Sequence, residues 1–293
     1  MQSSQFCELT VSGFLRRVFA VMRTESDENT DENRTDKEPA AALSAAAEQI
    51  RRKEKENTNA MFQIEWKGRS AWLEAVVFDM DGLMFDSERV VMYSWDEAGK
   101  QMGYGPLGHN IYHTLGMGAE SRERYFKKTY GADFPYEQFK QLYRDAFYNY
   151  ADEEGIPLKP GLRELLDFLK EQRIPAAMAT STGSSDVKKR LDREGLEPYF
   201  QVIITGDMVK ETKPSPEIYE KACRALGADP ARTIALEDAC NGIRSAYGAG
   251  MLPIMVPDLQ KDFSEVENML YGKMGSLTEV RRWLEDCCLH VTV

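Results

Sequence analysis

Carboxylate, hydroxyl and ammonium side chains follow four apolar runs of this 293-residue sequence. They are Asp79-Met80-Asp81, Thr180-Ser181, Lys213 and Glu237-Asp238. Side chains of these types can act as nucleophiles, acids, bases or ligands. Each also has an ordinary structural role, since strand-end Asp and Thr often cap the next helix and a Lys before Pro is commonly a solvated loop residue. It is their joint occurrence, in this order, that indicates a catalytic site.

The elements that would position these groups are short apolar runs that alternate with helical patterns. Five runs have the length of a strand, and they are Leu73–Phe78, Ile174–Ala179, Val202–Thr205, Thr233–Leu236 and Leu252–Val256. Helical spacing of apolar residues recurs between them, in 162–169, 186–194, 216–226 and 241–250. Such alternation predicts an α/β fold, a doubly wound (Rossmann-like) parallel sheet that binds ligands at the C-terminal ends of its strands.

The stretch 87–155 interrupts this alternation. It contains no strand pattern but several helical ones, and Phe139 and Tyr143 fall on the same face of a predicted helix. Aromatic residues at this density are typical of a small helical core. We predict that this stretch is a helical cap domain inserted after the first strand, and that residues 61–86 and 156–293 form the α/β core.

Residues 1–60 differ in composition from the rest of the chain. The segment 24–38 is almost entirely polar or charged. It cannot bury enough apolar area to offset the loss of chain entropy, so we predict a disordered N-terminal extension. Arginines among the apolar residues of 9–23 leave organelle targeting open.

Composition also limits the partners of the protein. The net charge of −11 gives no large basic field for binding nucleic acid. No stretch supplies the roughly 20 apolar residues of a membrane span. The five cysteines show no C-x-x-C metal spacing and no disulfide framework, so we predict a reducing, cytoplasmic setting. The sequence does not determine the oligomeric state, and a monomer is compatible with it.

The order of the polar segments resembles the haloacid dehalogenase-like hydrolase superfamily. The segments that carry the resemblance are AVVFDMDGLMFDSE (75–88), AAMATST (176–182), GDMVKETKPSPEIY (206–219) and ALEDACNGIRSAYGAGM (235–251). The helical stretch after Asp86-Ser87-Glu88 resembles the cap of the branch that includes phosphoglycolate phosphatase and β-phosphoglucomutase. The resemblance extends over residues 73–284 and does not include residues 1–60.

The resemblance implies roles for the residues that follow the first strand. Asp79 would be the nucleophile and would form an aspartyl-phosphate. Asp81 would protonate the leaving alkoxide and later take a proton from the attacking water. Gly82 would allow the sharp turn after the strand and lie at the phosphate site.

The later segments would bind the phosphoryl group and a cation. The phosphoryl oxygens would be stabilised by the hydroxyl of Thr180, by a backbone N–H near Ser181 and by the charge of Lys213. The implied cofactor is Mg²⁺, because a dianionic ester and a carboxylate nucleophile repel each other. Its implied ligands are oxygens of Asp79, the main chain of Asp81, Glu237 and Asp238.

The residues at two positions limit which of the superfamily's reactions the resemblance implies. The dehalogenases and the phosphonate-cleaving members of the superfamily lack an acid at the position of Asp81, so its presence favours phosphoryl transfer from oxygen. β-Phosphoglucomutases carry a histidine where this chain has Val91. The resemblance therefore implies a magnesium-dependent phosphatase of a small phosphorylated metabolite, such as a sugar phosphate. A β-phosphoglucomutase-like phosphotransferase is the alternative.

The motif order disfavours two functions that involve no catalysis. Receiver modules of two-component signalling share a doubly wound fold, but their phosphorylated Asp follows the third strand and their acidic pair the first. Here Asp79 and Asp81 follow the first predicted strand, and the acidic pair follows a late one. A phosphate-binding scaffold is disfavoured because every catalytic position is filled.

Overall fold

The computed structural model describes residues 62–115, 117–260 and 262–289. The extension predicted for residues 1–60, with its targeting segment, lies outside these ranges. Among the described helices, none combines the length and the apolar composition that crossing a membrane requires.

The described chain opens with an antiparallel β-hairpin that no sequence pattern above predicts. Strand β1 (Phe62–Trp66) pairs with β2 (Arg69–Leu73), and the turn residues Lys67 and Gly68 have φ angles of 49° and 78°. Two consecutive positive φ angles are typical of the tight turns in two-residue hairpins. Lys-Gly is a weak signal for such a turn, because Lys seldom adopts a positive φ.

The predicted strand Leu73–Phe78 is wrong at its start. Leu73 ends the hairpin, Glu74 forms the junction, and the first strand of the central sheet is β3 (Ala75–Phe78). The N–H of Glu74 donates to the carbonyl of Arg232 at 2.7 Å. Because apolar residues lie on both sides of the junction, the sequence reads as one continuous apolar run. The cap therefore follows the third strand of the described chain, which is the first strand of the central sheet.

Five further strands complete the central sheet. They are β4 (Ala176–Ala179), β5 (Val202–Ile204), β6 (Thr233–Glu237), β7 (Leu252–Met255) and β8 (Gly272–Lys273). All pairings are parallel, in the order β5-β4-β3-β6-β7-β8. The sheet extends from β3 in both directions, which confirms the predicted doubly wound fold. Since β4 and β6 flank β3, the C-terminal ends of these three strands lie side by side.

Helices account for most of the remaining described residues. Those of the cap are α1 (Ser87–Gln101), α2 (Ile111–Thr114), α3 (Ala119–Tyr130) and α4 (Tyr136–Glu153). Those of the core are α5 (Leu162–Glu171), α6 (Ser184–Glu194), α7 (Glu217–Leu226), α8 (Cys240–Gly248) and α9 (Leu277–Leu289). The described cap residues contain no strand. The exact limits proposed for the cap and the core stay a prediction.

Both faces of the central sheet are buried. Val76 and Phe78 of β3 belong to an apolar cluster with α5, α6 and α9. Val77, which points to the opposite face, belongs to a second cluster with α7 and α8. Burial on two faces explains why β3 has a continuous apolar sequence instead of an alternating one.

The cap has an aromatic core of its own. Trp95 of α1 packs edge to face against Phe126 of α3 and Phe139 of α4, with ring centroids 5.4 and 5.8 Å apart. All three rings are buried. The aromatic residues of the cap thus pack as a small helical core.

Candidate active site

The ends of β3, β4 and β6 bring together groups that are far apart in the sequence. Asp79 follows β3, Thr180 follows β4 and Glu237 ends β6. The loop between β5 and α7 adds Lys213, whose Nζ donates to Asp79 Oδ1 at 2.5 Å and to Glu237 Oε1 at 2.6 Å. The predicted strand-end groups therefore meet at one edge of the sheet.

Lys213 lies between two carboxylates in a nearly closed environment. Its side chain is 8% exposed, and its Nζ also donates to the carbonyl of Ala179 at 3.0 Å. Burial by itself disfavours the ammonium ion, but the negative charges of Asp79 and Glu237 outweigh burial and raise the pKa of Lys213. A permanent positive charge therefore lies at the carboxylate of Asp79.

Tyr219 completes this arrangement. It is the last residue of the segment 206–219 that carries the family resemblance, but the sequence alone assigned it no role. Its hydroxyl donates to Glu237 Oε1 at 2.5 Å, and its side chain is fully buried. Burial and the charge of Glu237 raise the pKa of Tyr219, so the hydroxyl keeps its proton. It is also an aromatic residue on the apolar face of α7, and that pattern ordinarily indicates core packing.

Three carboxylates form an acidic cluster beside Lys213. One oxygen each of Asp79, Glu237 and Asp238 lies within 4.8 Å of the others. Burial, only partly opposed by Lys213, raises the pKa of Asp79 to about 8. Burial and the charge of Asp79 also raise the pKa of Asp238. The single charge of Lys213 therefore does not compensate the negative charge of the three carboxylates. Because all the donor atoms are oxygens, the cluster fits a small hard cation such as Mg²⁺.

Gly82 borders the acidic cluster. It has a φ of 81°, and a Cβ at this position would lie 2.2 Å from Asp238 Oδ2. Its N–H donates within the chain, to the carbonyl of Phe85 at 2.9 Å and to Ser87 Oγ at 3.1 Å. The glycine therefore makes the turn and leaves room for Asp238. Its contact with a phosphate stays a prediction.

Thr180 is placed to donate a hydrogen bond. Its side chain is buried, and its Oγ1 accepts from the N–H of Thr182 at 3.1 Å. Because that bond uses an oxygen lone pair, the hydroxyl hydrogen is available for an acceptor on a ligand. Ser181 has an exposed side chain, and the phosphate contact of its backbone stays a prediction.

Asp81 is held by a different set of partners. Its Oδ2 accepts from Thr182 Oγ1 and its Oδ1 from Arg190 Nη1, both at 2.6 Å. Burial favours the neutral acid, but the charge of Arg190 and these hydrogen bonds outweigh burial and lower the pKa of Asp81. The side chain of Asp81 is not a member of the acidic cluster. Its predicted role as a metal ligand therefore rests on its main-chain carbonyl.

The partners of Asp81 differ in how far the sequence could reveal them. Thr182 belongs to the segment that carries the family resemblance, two residues after Thr180. Arg190 lies in the middle of α6, where an arginine ordinarily indicates a solvated helix face. No local signal distinguishes it from the other basic residues of that helix.

Comparison with known proteins agrees with this geometry. The sequence pattern of the haloacid dehalogenase-like hydrolases matches residues 73–250, more than half of the chain. The phosphorylated carbohydrates phosphatase of Thermotoga maritima is 33% identical over 215 residues, covering 73% of this chain and 91% of that protein.

Solved structures extend the comparison to the fold. A Thermotoga maritima protein described as a candidate β-phosphoglucomutase has a TM-score of 0.62 at 28% identity, covering 73% of this chain and 99% of its own. A CbbY variant from Rhodobacter sphaeroides, in complex with xylulose-(1,5)bisphosphate, has a TM-score of 0.57 at 29% identity, covering 71% and 96%. The resemblance read from the motifs is confirmed: this chain belongs to the haloacid dehalogenase-like hydrolases, in their phosphoglycolate phosphatase and β-phosphoglucomutase-like branch.

Proposed function

We propose that this hydrolase is a magnesium-dependent phosphatase that cleaves a small phosphorylated carbohydrate through an aspartyl-phosphate on Asp79. The observation that carries the proposal is the environment of Asp79. Its buried carboxylate accepts a hydrogen bond from Lys213 and belongs to the acidic cluster with Glu237 and Asp238. A carboxylate so placed can attack only if the charge of the cluster and of the ester is compensated.

Each charged or polar group of this site would help to balance the charge of the ester or to hold another group in place. The ester is a dianion, so the Lys213 ammonium and the Thr180 hydroxyl would bind its phosphoryl oxygens. Mg²⁺, held by oxygens of Asp79, Asp238 and the Asp81 main chain, would supply the remaining positive charge. Glu237, which accepts from Lys213 and Tyr219, would chiefly orient the lysine.

The reaction follows in two steps that exchange one proton. In the first, an Asp79 oxygen forms a bond to phosphorus while the bond to the leaving oxygen breaks, and Asp81 gives that oxygen its proton. In the second, Asp81 takes a proton from water, whose oxygen attacks the aspartyl-phosphate. Inorganic phosphate leaves and Asp79 is regenerated.

The substrate class rests on the relatives. The Thermotoga maritima relative is a phosphatase of phosphorylated carbohydrates, and the CbbY variant was solved with a sugar bisphosphate. The cap is a helical insert directly after β3, so it would recognise the carbohydrate while the sheet binds the phosphate.

A mutase is not favoured because of the surroundings of Val91. Its side chain is partly buried against the aromatic core of the cap. A hydrocarbon side chain cannot form the polar contacts of the histidine that mutases carry at this position. Water is then the expected acceptor of the phosphoryl group.

A panel of esters tests the proposal. The purified full chain would be mixed with glucose 6-phosphate, ribose 5-phosphate, sorbitol 6-phosphate, phosphoglycolate and p-nitrophenyl phosphate, with Mg²⁺ or with a chelator. We expect free phosphate from at least one sugar or sugar-alcohol ester with Mg²⁺, none with the chelator, and none from Asp79→Asn. Turnover that survives chelation, or an isomer formed in place of phosphate, would contradict it.

A further inference from the structure

The β4 loop, residues 180–183 between β4 and α6, is bonded to β5 and to the chain that follows it. The N–H of Thr180 donates to the carbonyl of Ile204 at 3.0 Å, which continues the strand pairing beyond the end of β4. The carbonyl of Thr182 accepts from the N–H of Gly206 at 2.9 Å. The course of this loop, which carries the groups expected to bind the phosphoryl oxygens, therefore depends on the chain after β5.

Asp207 adds a third connection, at the start of α6. Its Oδ2 accepts from the hydroxyl of Ser184 at 2.6 Å, and the N–H of Ser184 donates to both carboxylate oxygens, at 3.2 and 3.3 Å. Its Oδ1 also accepts from the hydroxyl of Thr205, a fully buried residue directly after β5. The carboxylate of Asp207 thus links the first residue of α6 to the end of a sheet strand.

The N-terminus of α6 depends on this carboxylate. The N-cap position is Gly183, which has no side chain that could accept from the N–H groups of the first turn. Asp207 accepts in its place, and a negative charge there is favourable for the helix dipole. Burial favours the neutral acid, but the hydrogen bonds from Ser184 and Thr205 outweigh burial and lower the pKa of Asp207. The side chain is therefore ionised at neutral pH.

Gly206 brings the two loops into close contact. Its φ lies outside the left-handed region, so the glycine is needed for space: a Cβ here would lie 2.1 Å from the carbonyl oxygen of Ser181. Among the described residues, none accepts a hydrogen bond from the N–H of Ser181, which leaves that group for a ligand. A displacement of the Ser181 carbonyl would change the backbone angles of Ser181 and with them the direction of its N–H.

We propose that Asp207 is a positioning residue for phosphate binding, which holds the β4 loop so that the hydroxyl of Thr180 and the N–H of Ser181 converge on one phosphoryl group. Its carboxylate acts through Ser184 and Thr205 and touches neither the ester nor the cation. Because the phosphoryl group is common to all esters, loss of this contact affects every ester alike, whatever its leaving group. This inference rests on the proposed phosphatase function.

The test is calorimetric titration of the full chain with inorganic phosphate in saturating Mg²⁺, in the wild type and in Asp207→Ala. We expect the variant to bind phosphate about fivefold or more weakly, because misplaced donors bind it less well. Its kcat/KM should fall by a similar factor for p-nitrophenyl phosphate and for the best sugar ester of the panel above. Titration with Mg²⁺ alone should give the wild-type affinity, since the acidic cluster is unchanged. Asp207→Asn, which keeps one acceptor oxygen, should retain most of the phosphate affinity.

Asp229→Ala is the matched control. The carboxylate of Asp229 accepts from the N–H of Ala231 at 3.0 Å, at the start of a short 3₁₀ helix that precedes β6 and so lies at the opposite edge of the sheet. This variant should lower the melting temperature about as much as Asp207→Ala and leave the phosphate affinity unchanged. Equal phosphate affinities in the two variants, or wild-type affinity in Asp207→Ala, would overturn the inference. A wild-type chain that binds no phosphate and cleaves no ester would instead reject the proposed function.

Discussion

The carboxylate of Glu237 lies against Gly242 in the first turns of α8. A Cβ atom at position 242 would come within 1.9 Å of Glu237 Cδ and Oε1, closer than side-chain atoms approach one another. The same Oε1 accepts hydrogen bonds from Lys213 and Tyr219. Gly242 therefore provides the space through which Glu237 reaches Lys213, which lies beside Asp79.

Gly242→Ala should cut turnover on all esters by at least about tenfold, because Glu237 would have to leave Lys213 and the charge beside Asp79 would move. The change should also lower the melting temperature, even though Ala is the better helix former by about 0.5–1 kcal/mol. Gly248→Ala is the control on the same helix, since its Cβ would meet Pro216 at an ordinary 3.4 Å. If the two variants had the same activity, Gly242 would not support the site in this way.

Asp238→Asn should weaken Mg²⁺ binding by at least about tenfold, because the site loses one charged oxygen ligand. Calorimetric titration with Mg²⁺ measures this directly, and activity should recover in part at high Mg²⁺. Glu285→Gln removes a charge on α9, where Glu285 pairs with Arg281, and should leave the affinity unchanged. Unaltered Mg²⁺ affinity in Asp238→Asn would remove this residue from the metal site.

Without metal, the free energy of unfolding should fall as the pH rises from 5 to 8. The folded-state pKa of Asp79, about 8, lies above its ordinary value of 3.8, and the pKa of Asp238 is also raised. The folded protein then binds these protons more tightly than the unfolded chain, and the stabilisation is lost as they dissociate. Asp81 has a lowered pKa, so its contribution is complete above about pH 4 and adds no slope in this window.

Urea unfolding at pH 5, 6.5 and 8 measures this dependence, once in a chelator and once with saturating Mg²⁺. The cation replaces the dissociated protons, so the curve with Mg²⁺ should be flatter. The opposite result would be a metal-free free energy of unfolding that rises steadily from pH 5 to 8. It would mean that the folded protein already compensates the negative charge of the acidic cluster.

Asp79→Asn and Asp81→Asn should behave differently in a burst experiment with p-nitrophenyl phosphate. Asp81→Asn keeps the nucleophile, and this leaving group needs little protonation, so a burst of p-nitrophenol approaching one equivalent per site is expected. The aspartyl-phosphate should then accumulate, because no base activates water. Asp79→Asn should give no burst. A phosphorylated residue mapped to any position other than Asp79 would contradict the roles given to both.

Local sequence was sufficient to locate most of the candidate site. Short apolar runs predicted five of the six strands of the central sheet, all but the two-residue β8, and polar residues at their ends predicted where Asp79, Thr180 and Glu237 meet. Parallel strands have their C-terminal ends at one edge, so this convergence needs no knowledge of packing. The start of β3 at Ala75 was missed, because the apolar residues of the hairpin continue into it.

What the sequence by itself determined was the class of fold and the set of reactive groups, because strand periods, helix periods and motif spacing are local properties. Tertiary structure alone decided the partners of those groups. Arg190 contacts Asp81 across 109 residues, and Glu237 reaches Lys213 only because Gly242 leaves room for it. Such contacts depend on how helices pack on the sheet, and packing over these distances leaves no periodic trace in the chain.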